Sequence, residues 1–177
     1  MIKDGWLDRA SRIASPNTDG RDVTVSAIVL HCISLPPGEY GSDAITSLFT
    51  NTLDPDQHPY FSGIHGLRVS AHLLIRRDGH CIQYVSFDQR AWHAGVSVLH
   101  GVERCNDFSI GIELEGTEYD PYTDAQYQQL AIIIADLMQA YPAIQPSRIV
   151  AHSSIAPGRK TDPGPSLDWA RLYRALA

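Results

Sequence analysis

The segment Val150–Ser166, Val-Ala-His-Ser-Ser-Ile-Ala-Pro-Gly-Arg-Lys-Thr-Asp-Pro-Gly-Pro-Ser, restricts the fold of this chain more than any other stretch. Pro157, Gly158, Pro163 and Gly164 keep Pro157–Ser166 out of a helix or a central strand, because proline lacks the N–H that either ladder requires. What is left is a stiff loop carrying His152, Lys160 and Asp162 close together. Such an array suits a site better than a core. If the loop folds back, His152 and Asp162 can both reach one metal ion, since closing a span of this length costs modest entropy. An imidazole and a carboxylate are ordinary zinc ligands, and a third has to come from elsewhere in the chain.

Two further stretches supply strands. Val23–Leu30 is rich in β-branched residues and apolar on both faces, which predicts a central strand ending at His31. A histidine at such a strand end, before the Ser34-Leu-Pro-Pro-Gly38 turn, stands where a site can open, although a hydrogen-bonded histidine at the core edge fits equally well. Phe108–Glu115 alternates strictly, with Phe108, Ile110, Ile112 and Leu114 on one face and Ser109, Gly111, Glu113 and Glu115 on the other. One reading is a half-exposed strand with a solvated acidic face. The other is that Gly111 leaves room beside Glu113 for a ligand to approach.

The remaining elements follow from local signals. Residues 1–22 are polar and are expected to wrap the surface. Ser42–Thr50 has a capping residue and the spacing of a short helix. Val69–Ile75 and Cys81–Phe87 flank Asp78-Gly79, a hairpin signal, with His72 as a paired core histidine. Ala91–Gly95 is an aromatic–imidazole cluster in which Trp92 serves equally as core or as a flat wall for a ligand. Thr123 and Gln126 form a capping box that opens a helix to Tyr141. Arg148–His152 is a short strand, and Leu167–Ala177 a closing amphipathic helix.

Composition narrows the function classes. The 177 residues are enough for one domain with a full core, and 44% hydrophobic with 19% charged residues describes a globular chain. A formal net charge of −6 speaks against nucleic acid as a partner, and any acidic ligand needs local arginines. No apolar run approaches a membrane span, and the N-terminus lacks the apolar region of a secretory signal. Cys32, Cys81 and Cys105, odd in number and without a CxxC pair, fit free thiols in a reducing cytoplasm.

Several segments, taken together, resemble a known family. They are His31 with Ile33-Ser-Leu-Pro-Pro-Gly-Glu39, Arg68-Val-Ser-Ala-His72, Ile75-Arg-Arg-Asp-Gly79, Arg90-Ala-Trp-His-Ala-Gly-Val-Ser97, Glu103–Gly116 and Lys160-Thr-Asp-Pro-Gly-Pro165. They are similar to the AmpD-type 1,6-anhydro-N-acetylmuramoyl-L-alanine amidases, zinc enzymes sharing a fold with peptidoglycan-recognition proteins and phage T7 lysozyme. The similarity runs from Gly5-Trp6-Leu7 to the final helix. It implies a single α/β (α+β) amidase domain over residues 1–177, with a central mixed β-sheet flanked by helices. It also implies one Zn²⁺ held by His31, His152 and Asp162, with Glu113 as acid/base and Lys160 stabilising the oxyanion.

The implied reaction is hydrolysis, by a water on that zinc, of the lactyl–L-alanine amide of 1,6-anhydro-muropeptides, in cytoplasmic recycling of peptidoglycan by a monomer. Peptide carboxylates on that substrate make Arg68, Arg104 and Arg159 expected contacts, because guanidinium pairs with carboxylate in bidentate fashion. Trp92 is expected as the sugar-side wall. Cys32 stands where the family carries Asn, and Ser153-Ser154 where a Cys-Asn pair is usual; Cys32 is expected to touch the amide or lactyl group. A non-catalytic muropeptide-binding module of the same fold predicts a broken ligand set, whereas all five site residues are present. A third reading, Cys32 as nucleophile with His31 as base, suffers because neighbours on a strand face opposite ways.

Overall fold

The computed structural model describes residues 1–176, and two seven-residue strands lie at its centre. Six strands form one mixed sheet: β1 (Ser11–Arg12), β2 (Ala27–Ile33), β3 (Leu73–Ile75), β4 (Cys81–Gln83), β5 (Ser109–Glu115) and β6 (Ile149–Ala151). Their order across the sheet is β6-β2-β5-β3-β4-β1. Strand β5 runs parallel to β2 and to β3, β6 parallel to β2, and β1 parallel to β4; only β3 and β4 are antiparallel, joined by the Asp78-Gly79 hairpin. Gly79 adopts φ 86°, a conformation that costs glycine no Cβ clash.

Apolar periodicity assigns the faces. Ile28, Leu30, Ile110, Ile112 and Leu114 point to one side and pack with Leu130, Ile133, Ile134 and Leu137 of α2 (Asp124–Ala140), following α1 (Ala44–Phe49). Thr123 caps α2 through a complete capping box with Gln126, so its first-turn N–H groups are satisfied locally. Leu172 of α4 (Trp169–Leu176), which follows the one-turn α3 (His152–Ile155), joins the same cluster. The opposite face carries two separate apolar clusters. One surrounds α1 with Ile45, Leu48, Phe49, Phe61, Leu74 and Tyr84; the other joins Ala27, Val29, Ala94, Leu99, Phe108 and Ile155. Between them β5 presents Ser109, Gly111 and Glu113, and there the polar groups of the molecule gather.

Several local expectations are corrected. The strand starts at Ala27 rather than Val23 and runs two residues past His31, which therefore lies inside β2. All seven residues of β5 are buried, so its acidic face is not solvated; Glu115 accepts hydrogen bonds from the backbone N–H of Gly41 (2.6 Å) and Arg77 (3.1 Å). Residues 1–22 do more than wrap the surface. Ile2–Lys3 pairs with Trp6–Leu7, Ser11–Arg12 extends the sheet, and Thr18–Asp19 pairs with Arg90–Ala91, which covers polar backbone at a sheet edge. Strands β3 and β4 are shorter than expected, although their pairing continues one step further, Tyr84 N–H donating to the His72 carbonyl (2.9 Å). Asp43 takes the cap position of α1 and makes no side-chain cap bond; Ser42 Oγ accepts from the Ala44 N–H (3.3 Å) and donates to the Leu35 carbonyl (3.0 Å). The closing helix begins at Trp169, and Ala177 lies outside the described residues.

Candidate metal and amidase site

The parallel register of β2 and β5 sets His31 directly opposite Glu113, so both side chains leave the same face of the sheet. Strand β6, on the far side of β2, ends at Ala151, and His152 opens α3 immediately after it. The Pro/Gly loop then turns back. Ser153 N–H donates to the Asp162 carbonyl (3.0 Å) and Lys160 N–H to the Ala156 carbonyl (3.0 Å). Thr161 donates to Glu118, which ties the loop to the segment after β5. Asp162 is thereby delivered to His152, an approach that the spacing of the two residues allows once the loop folds back.

The donor atoms converge. His31 Nδ1 lies 2.9 Å from His152 Nδ1, and each lies 3.1 Å from Asp162 Oδ2. Three lone-pair atoms so close repel one another unless a proton or a cation sits among them. His152 Nε2 faces the Ala94 carbonyl at 3.1 Å, an acceptor only, so its proton belongs on Nε2 and its Nδ1 lone pair is free. Burial pushes His31 down to about 4, which keeps its imidazole neutral and able to ligate. By the chemistry of their donors, His31, His152 and Asp162 fit a metal site, each offering one ligand atom to a common centre.

These residues line a cleft of about 620 Å³, the size range of ligand pockets. Leu48, Phe49, Tyr60, Ile64 and Trp92 supply apolar surface, and Arg159, Lys160 and Thr161 supply polar surface. Glu113 Oε2 is buried and has no hydrogen-bond partner. Burial first, then the Asp162 carboxylate, raises the Glu113 carboxyl well above its ordinary range, while Lys160 opposes that rise. A carboxyl raised in this way keeps its proton to a higher pH than an ordinary one, which suits a group that exchanges a proton with its neighbours.

The structure brings His31, Glu113, His152, Lys160, Asp162, Trp92, Arg159 and Cys32 to the cleft, but not Arg68 or Arg104. Arg104 pairs with Asp107 (3.1 Å) beside a smaller recess shared with Arg21 and Arg90, and Arg68 reaches only the Gly66 carbonyl (3.4 Å). Arg159 lines the cleft, yet its guanidinium also donates to the carbonyls of Ala94 and Val96 (both 2.6 Å). Burial pushes the Cys32 thiol up to about 12, so a thiolate nucleophile is disfavoured by chemistry as well as by strand geometry.

Gly111 does leave space, but a protein side chain fills it. A Cβ at Gly111 would stand 2.4 Å from Cγ of His93, so the imidazole, not a ligand, occupies that gap. His93 then reaches His31, with its Nδ1 3.0 Å from His31 Nε2. No role for His93 is legible in the sequence. The Trp92-His93 pair marks a site locally, but the contact spans the sheet and has no spacing signal.

Comparison with known proteins agrees with this geometry. Residues 21–165 match the family described as N-acetylmuramoyl-L-alanine amidase. The chain is 61% identical to the Citrobacter freundii 1,6-anhydro-N-acetylmuramyl-L-alanine amidase AmpD, over 99% of this chain and 94% of that protein. The crystal structure of a selenomethionine AmpD derivative superposes with a TM-score of 0.97 at 59% identity, covering 100% of this chain and 99% of that one. AmpDh3 from Pseudomonas aeruginosa, solved in complex with anhydromuramic pentapeptide, gives 0.68 at 29% identity, over 99% of this chain and 66% of that one. With its cleft, its donor cluster and these relatives, the chain belongs to the N-acetylmuramoyl-L-alanine amidases, and among them to the AmpD type.

Proposed function

We propose that this amidase is a zinc enzyme that hydrolyses the lactyl–L-alanine amide of 1,6-anhydro-N-acetylmuramyl peptides during peptidoglycan recycling. The observation that carries the reading is the meeting of His31 Nδ1, His152 Nδ1 and Asp162 Oδ2 within 3.1 Å of one another on the face that Glu113 shares. Donors on a zinc tetrahedron with ~2.0–2.1 Å bonds sit about 3.3 Å apart, so the cluster has the right scale for that ion. When bound there, Zn²⁺ lowers the pKa of water toward about 7 and polarises an amide carbonyl.

The chain's own groups do the rest. Glu113, unpartnered in the cleft, takes a proton from the attacking water and passes it to the departing amine. Lys160, two residues before Asp162, places an ammonium beside the oxygen on which negative charge develops. Trp92 and the apolar lining hold the anhydro sugar, Cys32 borders the amide, and Arg159 faces the peptide. Arg68 and Arg104, outside the lining, are assigned to carboxylates at the far end of the peptide. The protein is read as one amidase domain over residues 1–177 that works as a cytoplasmic monomer. Among the described residues no helix is long and apolar enough to cross a membrane.

The test is product analysis after incubation with anhydro-muropeptide and, separately, with intact sacculi. Free anhydro sugar and peptide should appear only from the first, cease on chelation and return with added Zn²⁺. Glu113→Gln should abolish turnover while retaining zinc, and Lys160→Ala should lower kcat by roughly 10²–10³. Turnover unaffected by chelation would remove the metal from the reading.

A further inference from the structure

Behind His31 lies a line of hydrogen-bonding groups that takes no part in the reading above. The Ser109 hydroxyl donates to the Cys105 carbonyl at 2.6 Å, and Ser109 Oγ lies 3.3 Å from His93 Nε2. His93 Nδ1 in turn lies 3.0 Å from His31 Nε2. A neutral imidazole has one donor and one acceptor nitrogen, and a carbonyl oxygen only accepts. The direction of the whole line follows from its fixed end. Ser109 spends its single proton on the carbonyl, so its oxygen accepts from His93 Nε2–H. His93 is left with a lone pair on Nδ1, which accepts from His31 Nε2–H, and the free lone pair of His31 falls on Nδ1.

We propose that Ser109 and His93 are positioning residues that hold His31 as its Nε2–H tautomer and so make Nδ1 its metal-donor atom. The inference rests on the metal reading of His31, His152 and Asp162. It explains three placements at once. Gly111 lacks the Cβ that would collide with His93 at 2.4 Å, which admits the ring over the strand. Asn106 Oδ1 accepts from the backbone N–H of both His93 (3.2 Å) and Ala94 (2.8 Å), pinning the segment that carries the ring. The same segment orients the second imidazole, because the Ala94 carbonyl accepts from His152 Nε2. One short bracket therefore presents both imidazoles by the same nitrogen.

The competing arrangement is equally well defined. If His31 carried its proton on Nδ1, that proton would point at Asp162 Oδ2 and occupy the metal position. His93 would then donate from Nδ1, and Ser109 would have to turn its hydroxyl from a 2.6 Å partner to one at 3.3 Å. Removing the hydroxyl takes away this bias without touching either imidazole.

The experiment uses the full chain, freed of metal by chelation, with ¹⁵N-labelled histidine. Long-range ¹H–¹⁵N spectra distinguish a protonated from a bare ring nitrogen, and titration with Zn²⁺ alone gives the Kd. The parent should show His31 bare at Nδ1 and protonated at Nε2. Ser109→Ala should move proton occupancy onto His31 Nδ1 and weaken zinc binding by about 10–100-fold, the usual effect of losing a partner behind a metal ligand. Ser109→Thr, which keeps the hydroxyl, should retain the parent tautomer. Thermal melting of each variant separates a folding defect from a tautomer change. A metal-free parent with the proton on His31 Nδ1, or a folded Ser109→Ala with parent tautomer and parent Kd, overturns the proposal. A parent that binds no zinc would defeat the metal reading instead, and the spectra of the metal-free protein would still decide the tautomer.

Discussion

Gly111 is the smallest side chain in the polar seam and the one with the least freedom to change. Its backbone conformation suits any residue, so the penalty for a larger one is purely steric: a Cβ would stand 2.4 Å from Cγ of His93. Gly111→Ala should destabilise the fold by about 1–3 kcal/mol through overpacking and slow hydrolysis as well. Urea midpoints and kcat measure the two effects. His72 offers a pH signature. Burial, aided by the Arg21 guanidinium, pushes its pKa down to about 3, against roughly 6.5 in an unfolded chain. As pH falls below about 6.5 the unfolded chain takes up that proton before the folded one does. The stability linked to His72, present in full above that value, is therefore lost as pH drops toward about 3, at up to ~1.4 kcal/mol per pH unit. Urea unfolding between pH 7 and about pH 4.5 should show a slope to which His72 contributes this amount beside the other buried imidazoles, and His72→Gln should make it shallower by about that much. A residue reader of the sequence recovers His72 as a paired core histidine, since its apolar neighbours say as much. His93 escapes, because its partners His31, Ser109 and Gly111 lie on two other strands.

Helix α2 and strand β5 show how far periodicity carries. The capping box and the apolar stripe of α2 are local properties, and the helix forms where they say, from Asp124 to Ala140. Thr123 also donates to the Arg77 carbonyl (2.6 Å), so the cap fastens the helix to the β3–β4 hairpin. Thr123→Ala should cost about 1 kcal/mol, at the upper end of 0.5–2 if the hairpin loosens, with catalysis unchanged. Denaturant midpoint and KM together check it. Alternation likewise gives β5 its two faces, but not their surroundings. Whether Glu113 and Glu115 meet water depends on what the rest of the chain lays over them: Glu115 is covered, and Glu113, though buried, borders the cleft. The same gap explains α1: Asp43 takes the cap position without a side-chain bond, while Ser42 Oγ accepts from the Ala44 N–H and donates to the Leu35 carbonyl, a partner that only the packed chain supplies.

Over the whole molecule, the apolar clusters and the site divide the work. One face of the sheet is a continuous core with α2 and α4, while the other is split by the seam that holds His31, Glu113 and their neighbours. Bringing two imidazoles and a carboxylate together without a cation works against folding, so zinc should stabilise the native state by mass action. At a free concentration about 100 times its Kd the gain is about 2.7 kcal/mol, read as a rise in Tm that chelation reverses. The meeting of His31, His152 and Asp162 and the mixed sheet are legible from the resemblance of ordered segments, and the loop from its prolines and glycines. The β1 edge strand and the position of Arg104 beside Asp107 are not, because they depend on packing between distant parts of the chain.

The pairing of His31 with Glu113 across two parallel strands carries an evolutionary arithmetic. Gaining or losing one amino acid within either strand would turn one of the two inward groups outward and leave the other alone. Length variation in this architecture should therefore collect in the connecting loops. A designer transplanting the chemistry to another scaffold has to copy the strand offset before copying any side chain.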